Sequence, residues 1–103
     1  MSAAAAGRTV WFDAHCHLQD PRIAARAAHI VGGAADAGVQ WMVCNGTHEG
    51  DWEVVAAIAA AHPCVIPSFG LHPWYVHSRS TQWLQHLEER FSALPCPHSP
   101  TLP

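Results

Sequence analysis

The sequence contains no lysine, and its positive charge is confined to Arg8, Arg22, Arg26, Arg79 and Arg90 against eight acidic residues, for a formal net charge of −3. A polyanion is held through many cationic contacts, so these residues do not form a phosphate-tracking surface by themselves. No apolar run approaches the roughly 20 residues that cross a bilayer, which predicts no membrane association. Met1 to Gly7 lacks the apolar centre of a secretory leader and the arginines of a transit peptide, so the expected location is cytoplasmic, with the nucleus as the other open compartment. The four cysteines, Cys16, Cys44, Cys64 and Cys96, form no C-x-x-C, which excludes a zinc ribbon and a thioredoxin-type redox motif. They read as small apolar residues in a reducing compartment.

What is present is an alternation. At 103 residues, half of them hydrophobic, the chain is one domain at most. Three short apolar runs, Thr9 to Asp13, Val39 to Cys44 and Cys64 to Phe69, alternate with three helix-like patterns, the order expected of parallel strands joined by crossovers. Asp20 with Pro21 after it predicts a helix start, and Ile23, Ala27, Ile30, Val31 and Ala34 then fall on one face until Gly38. The internal Gly32-Gly33 pair costs about 1 kcal/mol per residue, which predicts a weaker second half or close packing on the sheet. Asp51 is expected to begin the second helix, with Val55, Ile58, Ala59 and His62 as its stripe and Pro63 as its stop. The third is expected over Thr81 to Phe91, burying Leu84, Leu87 and Phe91. Pro67 inside the third strand predicts a bulge or an early end. Strand starts about 25 to 30 residues apart fit the βα repeat of a TIM (β/α)8 barrel of about 250 residues. The fold class expected is therefore α/β, the first three βα units of such a barrel over 9–91. A disordered 1–8 precedes it, and a disordered Pro-rich tail over 92–103 follows the truncation.

Chemistry enters at Asp13-Ala14-His15-Cys16-His17. Side chains two apart on a strand point the same way, so His15 and His17 present two imidazoles to one side, half of a site for zinc or another borderline divalent metal. With nine histidines in 103 residues an H-x-H is expected by chance about 0.8 times, so its place at the end of an apolar run carries the weight.

The strings Phe12-Asp13-Ala14-His15-Cys16-His17-Leu18, Asn45-Gly46-Thr47 and Phe69-Gly70-Leu71-His72-Pro73-Trp74-Tyr75, in that order and spacing, resemble the first three barrel strands of the TatD family of metal-dependent deoxyribonucleases. The resemblance covers about Val10 to Phe91. It implies a hydrolase acting on ester bonds, with DNA as substrate and divalent metal ions (Mg, Mn or Zn) activating a water. His15 and His17 match the strand-one metal ligands; His72 matches the histidine at the active-site mouth and implies a contact to substrate phosphate. Trp74 beside it is the one tryptophan in a position to stack on an unpaired base. The family's further ligands, a Glu after the fourth strand, two later His and an Asp, have no counterpart here, and Glu88-Glu89 belong to a helix. The metal site is incomplete, and the expectation is a truncated TatD-like hydrolase, inactive alone.

Two other readings stand beside it. A PHP-type phosphoesterase also ends its first strand in H-x-H, though the Gly-Leu-His-Pro-Trp loop favours TatD. A non-catalytic fragment would associate with a full-length relative through exposed barrel edges. Asp13 could orient an imidazole or serve the strand itself. His48 is expected to be a solvated loop residue and His62 a partly buried helix end; His29, His77, His86 and His98 have no partner at a readable spacing. Trp11, Trp41 and Trp83 are expected in packing.

Overall fold

The computed structural model describes residues 9–94, so the segments expected to be disordered fall mostly outside the described residues, with Cys96 and His98. β1 (Trp11–Cys16), α1 (Ala27–Asp36), β2 (Val39–Asn45), α2 (Glu49–Ala61), β3 (Val65–Ser68) and α3 (Trp83–Ser92) follow one another, with 3-10 turns at Ala24–Arg26 and Pro73–Ser78. The strands form one parallel sheet in the order β1-β2-β3. This is an α/β arrangement consistent with the first βα units of a (β/α)8 barrel.

The faces of the sheet differ. Along β2, Met42 and Cys44 are buried in one core with Ala27 and Val31 of α1, Trp52, Val55 and Ile58 of α2, and Val65 of β3, so both helices cover the same face. The alternate residues Trp41, Val43 and Asn45 point the other way and are paired with Phe12, Ile66 and Ser68 respectively. Among the described residues no helix covers this second face, and Phe12 is 54% exposed on it. Strands that line a barrel need such a face.

Several expectations change in detail. Asp20 does cap: its Oδ1 accepts the Arg22 N–H at 2.9 Å and its backbone oxygen accepts from Ile23 and Ala24, but this closes only a turn, and the α-helix starts at Ala27. Gly32 and Gly33 are exposed, and a Cβ on either would meet nothing within 4 Å, so close packing is not their purpose. Gly38, at φ +100°, ends α1 and offers its carbonyl to Trp11 N–H at 2.9 Å, which fixes the start of the β1–β2 register.

α2 begins at Glu49 rather than Asp51, because Asp51 sits at the third helical position with its carboxylate turned back to receive the otherwise unpaired N–H groups of Thr47 and His48. Pro67 ends β3 early, at Ser68, without shifting its register. α3 buries less than its pattern implies: Leu84 is 53% and Phe91 49% exposed, because its chief neighbour is α2 rather than the sheet. Trp11, expected in packing, is 59% exposed.

Candidate metal centre

The end of β1 is bent. Asp13 Oδ1 accepts the His15 backbone N–H at 3.0 Å, and the β1–β2 register shifts between Asp13 and Cys16. Asp13 therefore serves the strand's own turn, and the kink sets the imidazoles of His15 and His17 edge to face, 4.8 Å between centroids at 84°. Their Nε2 atoms lie 3.2 Å apart. Divalent metal–nitrogen bonds of about 2.0–2.1 Å, arranged tetrahedrally, put ligand nitrogens at about this separation, so the pair fits such an ion.

The tautomer of His17 is decided by its other nitrogen. Nδ1 lies 2.7 Å from the Asn45 carbonyl oxygen, which can only accept, so Nδ1 carries the proton and Nε2 is left with a lone pair aimed at His15. His72 is set the opposite way: its Nδ1 accepts the Trp74 backbone N–H at 3.0 Å, which leaves the proton on Nε2. One imidazole offers a lone pair and the other a donor.

The loops after β2 and β3 are tied together. Gly46 N–H donates to Ser68 O at 2.7 Å, and His72 N–H to Thr47 O at 2.7 Å. A Cβ at Gly46 would lie 2.8 Å from Trp52 Cδ1 and 3.2 Å from Ser68 O, so only glycine permits this approach. The Trp52 indole N–H, on a side chain 3% exposed, reaches the Gly70 carbonyl at 2.9 Å and holds the third loop from below. His15, His17, Thr47 and His72 line a cavity of about 270 Å³. It adjoins a groove of about 470 Å³ that His17, Thr47 and His72 share with His48, Trp74 and Tyr75. Trp74 is 75% exposed with its ring 4.7 Å from that of His72, and His48 stacks on Tyr75 at 4.5 Å.

The structure thus brings His15, His17 and His72 to one cavity and puts Trp74 on the adjoining groove. Among the described residues no group of three or more His, Cys, Asp or Glu side chains forms a metal cluster. His48, expected as a solvated loop residue, is the N-cap of α2, and His62 is half-buried at the end of that helix. His86, expected without a partner, bonds Glu49 Oε2 through Nδ1 at 2.6 Å; Ser80 N–H and Oγ add bonds to the same carboxylate at 2.8 Å. These donors, the Ser80 N–H first, hold the Glu49 carboxyl down at about 2. Asp20 is held at about 2 by the Arg22 guanidinium. Cys16 and Cys44 are register partners, and the adjacent Cys44 sulfur, followed by burial, pushes the Cys16 thiol well up. Sequence reasoning missed Gln19, whose partners lie 25 to 32 residues away.

A parallel α/β sheet with a histidine pair at the end of its first strand defines the class, and residues 12–96 match the family described as TatD related DNase, to which the chain belongs. Among curated proteins it is similar to the Cut9-interacting protein scn1 of Schizosaccharomyces pombe, 33% identical over 95 residues, covering 81% of this chain and 27% of that protein. The chain spans about a quarter of the length of that relative.

Proposed function

We propose that this chain provides the first metal ligands and part of the substrate mouth of a TatD-type metal-dependent hydrolase that cleaves phosphodiester bonds in DNA. The observation that carries this is how the imidazoles are held around one cavity: His17 Nδ1 faces the Asn45 carbonyl at 2.7 Å, which turns its Nε2 to His15 Nε2 at 3.2 Å, and His72 Nδ1 faces the Trp74 backbone N–H at 3.0 Å, which leaves its Nε2 to donate. His15 and His17 would hold a divalent ion, Mg, Mn or Zn, which when bound supplies Lewis acidity and an activated water. His72 donates its Nε2–H to a phosphate oxygen, a role that an unprotonated nitrogen could not fill. Trp74, exposed on the adjoining groove, stacks on an unpaired base. The family membership favours this reading over a PHP-type phosphoesterase.

Two neutral imidazoles fall short of the three protein ligands of an ordinary catalytic metal site and neutralise no charge. A polypeptide of these 103 residues is therefore expected to show no turnover of a labelled single-stranded oligodeoxynucleotide with Mg²⁺, Mn²⁺ or Zn²⁺ beyond that of a His15→Ala/His17→Ala control. With Mn²⁺ present the oligonucleotide should still quench tryptophan fluorescence, and Trp74→Leu should remove that quenching and weaken binding by about 1–3 kcal/mol. Quenching that survives Trp74→Leu unchanged contradicts the assigned mouth, and cleavage lost in the double variant contradicts the incompleteness.

A second reading is favoured by the uncovered sheet face with Phe12, Trp41, Val43 and Ile66: a non-catalytic piece that associates with a full-length relative. Co-sedimentation of the two, reduced by Phe12→Ser, is the expected result; independent sedimentation would exclude it.

A further inference from the structure

Gln19 is 5% exposed, and every polar atom of its side chain is engaged. Its Nε2 donates to the Asn45 carbonyl oxygen at 2.7 Å and to Asp51 Oδ2 at 2.9 Å, and its Oε1 accepts the Cys44 thiol at 3.2 Å. A carbonyl and a carboxylate both accept only, so the amide nitrogen must face them, and its orientation follows from its partners. A buried amide is costly unless satisfied, and this one is satisfied at the end of β2 and the start of α2 together.

The Asn45 oxygen is also the atom that receives the His17 Nδ1–H at 2.7 Å. Gln19 and His17 thus share one carbonyl and occupy both of its lone pairs. The same peptide unit is held on its other side by Gly46 N–H to Ser68 O. Gly46 adds no side chain to restrict that peptide, so its orientation rests on these hydrogen bonds, the Ser68 bond on the N–H side and the two donors on the carbonyl side, of which Gln19 is the one that is itself buried.

We infer that Gln19 is a positioning residue for His17: by fixing the Asn45 carbonyl it holds the imidazole as the Nδ1–H tautomer, with the Nε2 lone pair directed at His15. This rests on the metal-ligand reading only for its consequence; the tautomer itself belongs to the metal-free protein.

Long-range ¹H–¹⁵N correlation of the imidazoles in the full chain reads it directly. Wild type should show His17 protonated on Nδ1 and His72 protonated on Nε2. In Gln19→Met, which keeps the side-chain length and removes the donors, His17 should shift to a mixture of tautomers while His72 is unchanged. Mn²⁺ affinity should fall about 10–100-fold. A His17 proton on Nε2 in wild type, which needs no variant to fold, overturns the inference, as does a His17 pattern unaltered in Gln19→Met. Metal binding that depends on His15 and His17 but ignores Gln19→Met overturns this inference and leaves the proposed function standing. A Gln19-dependent tautomer without metal binding upholds the inference and counts against that function.

Discussion

Within single residues, chemistry is set by the partner on the far side of a ring or amide. Two-residue spacing, a local rule, put His15 and His17 side by side in the sequence, but His17 lies just past the end of β1 and the bend after Asp13 sets the angle between the rings. What makes His17 a lone-pair donor was not legible, since the Asn45 carbonyl lies 28 residues away and is a backbone atom, to which residue type gives no clue. Trp52 is an intermediate case. It continues the Val55–Ile58 stripe one helical step earlier, so its burial is in the periodicity, but its bond to Gly70 depends on how the third loop folds back. Trp52→Phe removes that donor and leaves a carbonyl short of its partner; denaturant unfolding should show a loss of about 1–3 kcal/mol. An unchanged midpoint would mean that water replaces the indole N–H without penalty.

Among the elements, the strands and helices occur in the predicted order, but their ends were set by side chains that the pattern did not weigh. Asp51, expected to begin the second helix, does serve that start, from the third position rather than the first. α3 shows the reverse error. Its apolar spacing was real, yet Leu84 and Phe91 stay exposed because the helix leans on α2, and periodicity says which side is apolar without saying what will cover it.

Besides Leu87 against the core, a polar contact ties α3 to α2: Glu49 at the start of α2 reaches Ser80 and His86 across a gap of 31 and 37 residues. Its carboxyl titrates at about 2 when folded against 4.5 when unfolded, so the folded state binds this proton less readily. The stabilisation is therefore complete above pH 4.5 and is lost as pH falls toward 2. In Glu49→Gln the unfolding midpoint should vary less across that interval than in wild type; identical acid limbs in the two proteins would contradict the tether.

For the whole molecule, the parallel sheet was readable from the alternation of runs, and its strand order agrees with consecutive βα units. The apolar opposite face, Phe12 with Trp41 and Val43 with Ile66, was implied by that reading, since barrel strands are apolar on both sides. The three strand-end loops meet at one end of the sheet, where His17, Thr47 and His72 line a common cavity, and this convergence is what the motif order predicted. Gln19 and Glu49 were beyond it, because each acts across distances at which a single sequence carries no pairing signal.

The central claim, that His15 and His17 bind a divalent ion between them, is tested most directly by adding sub-stoichiometric Mn²⁺ to the ¹⁵N-labelled chain. Paramagnetic broadening should appear first at the imidazoles of His15 and His17 and at the neighbouring Asn45–Thr47 loop, and should vanish from these sites in His15→Ala/His17→Ala. Broadening that begins instead around Glu49, His86 and Glu89, or that persists at the β1 end in the double variant, would contradict it.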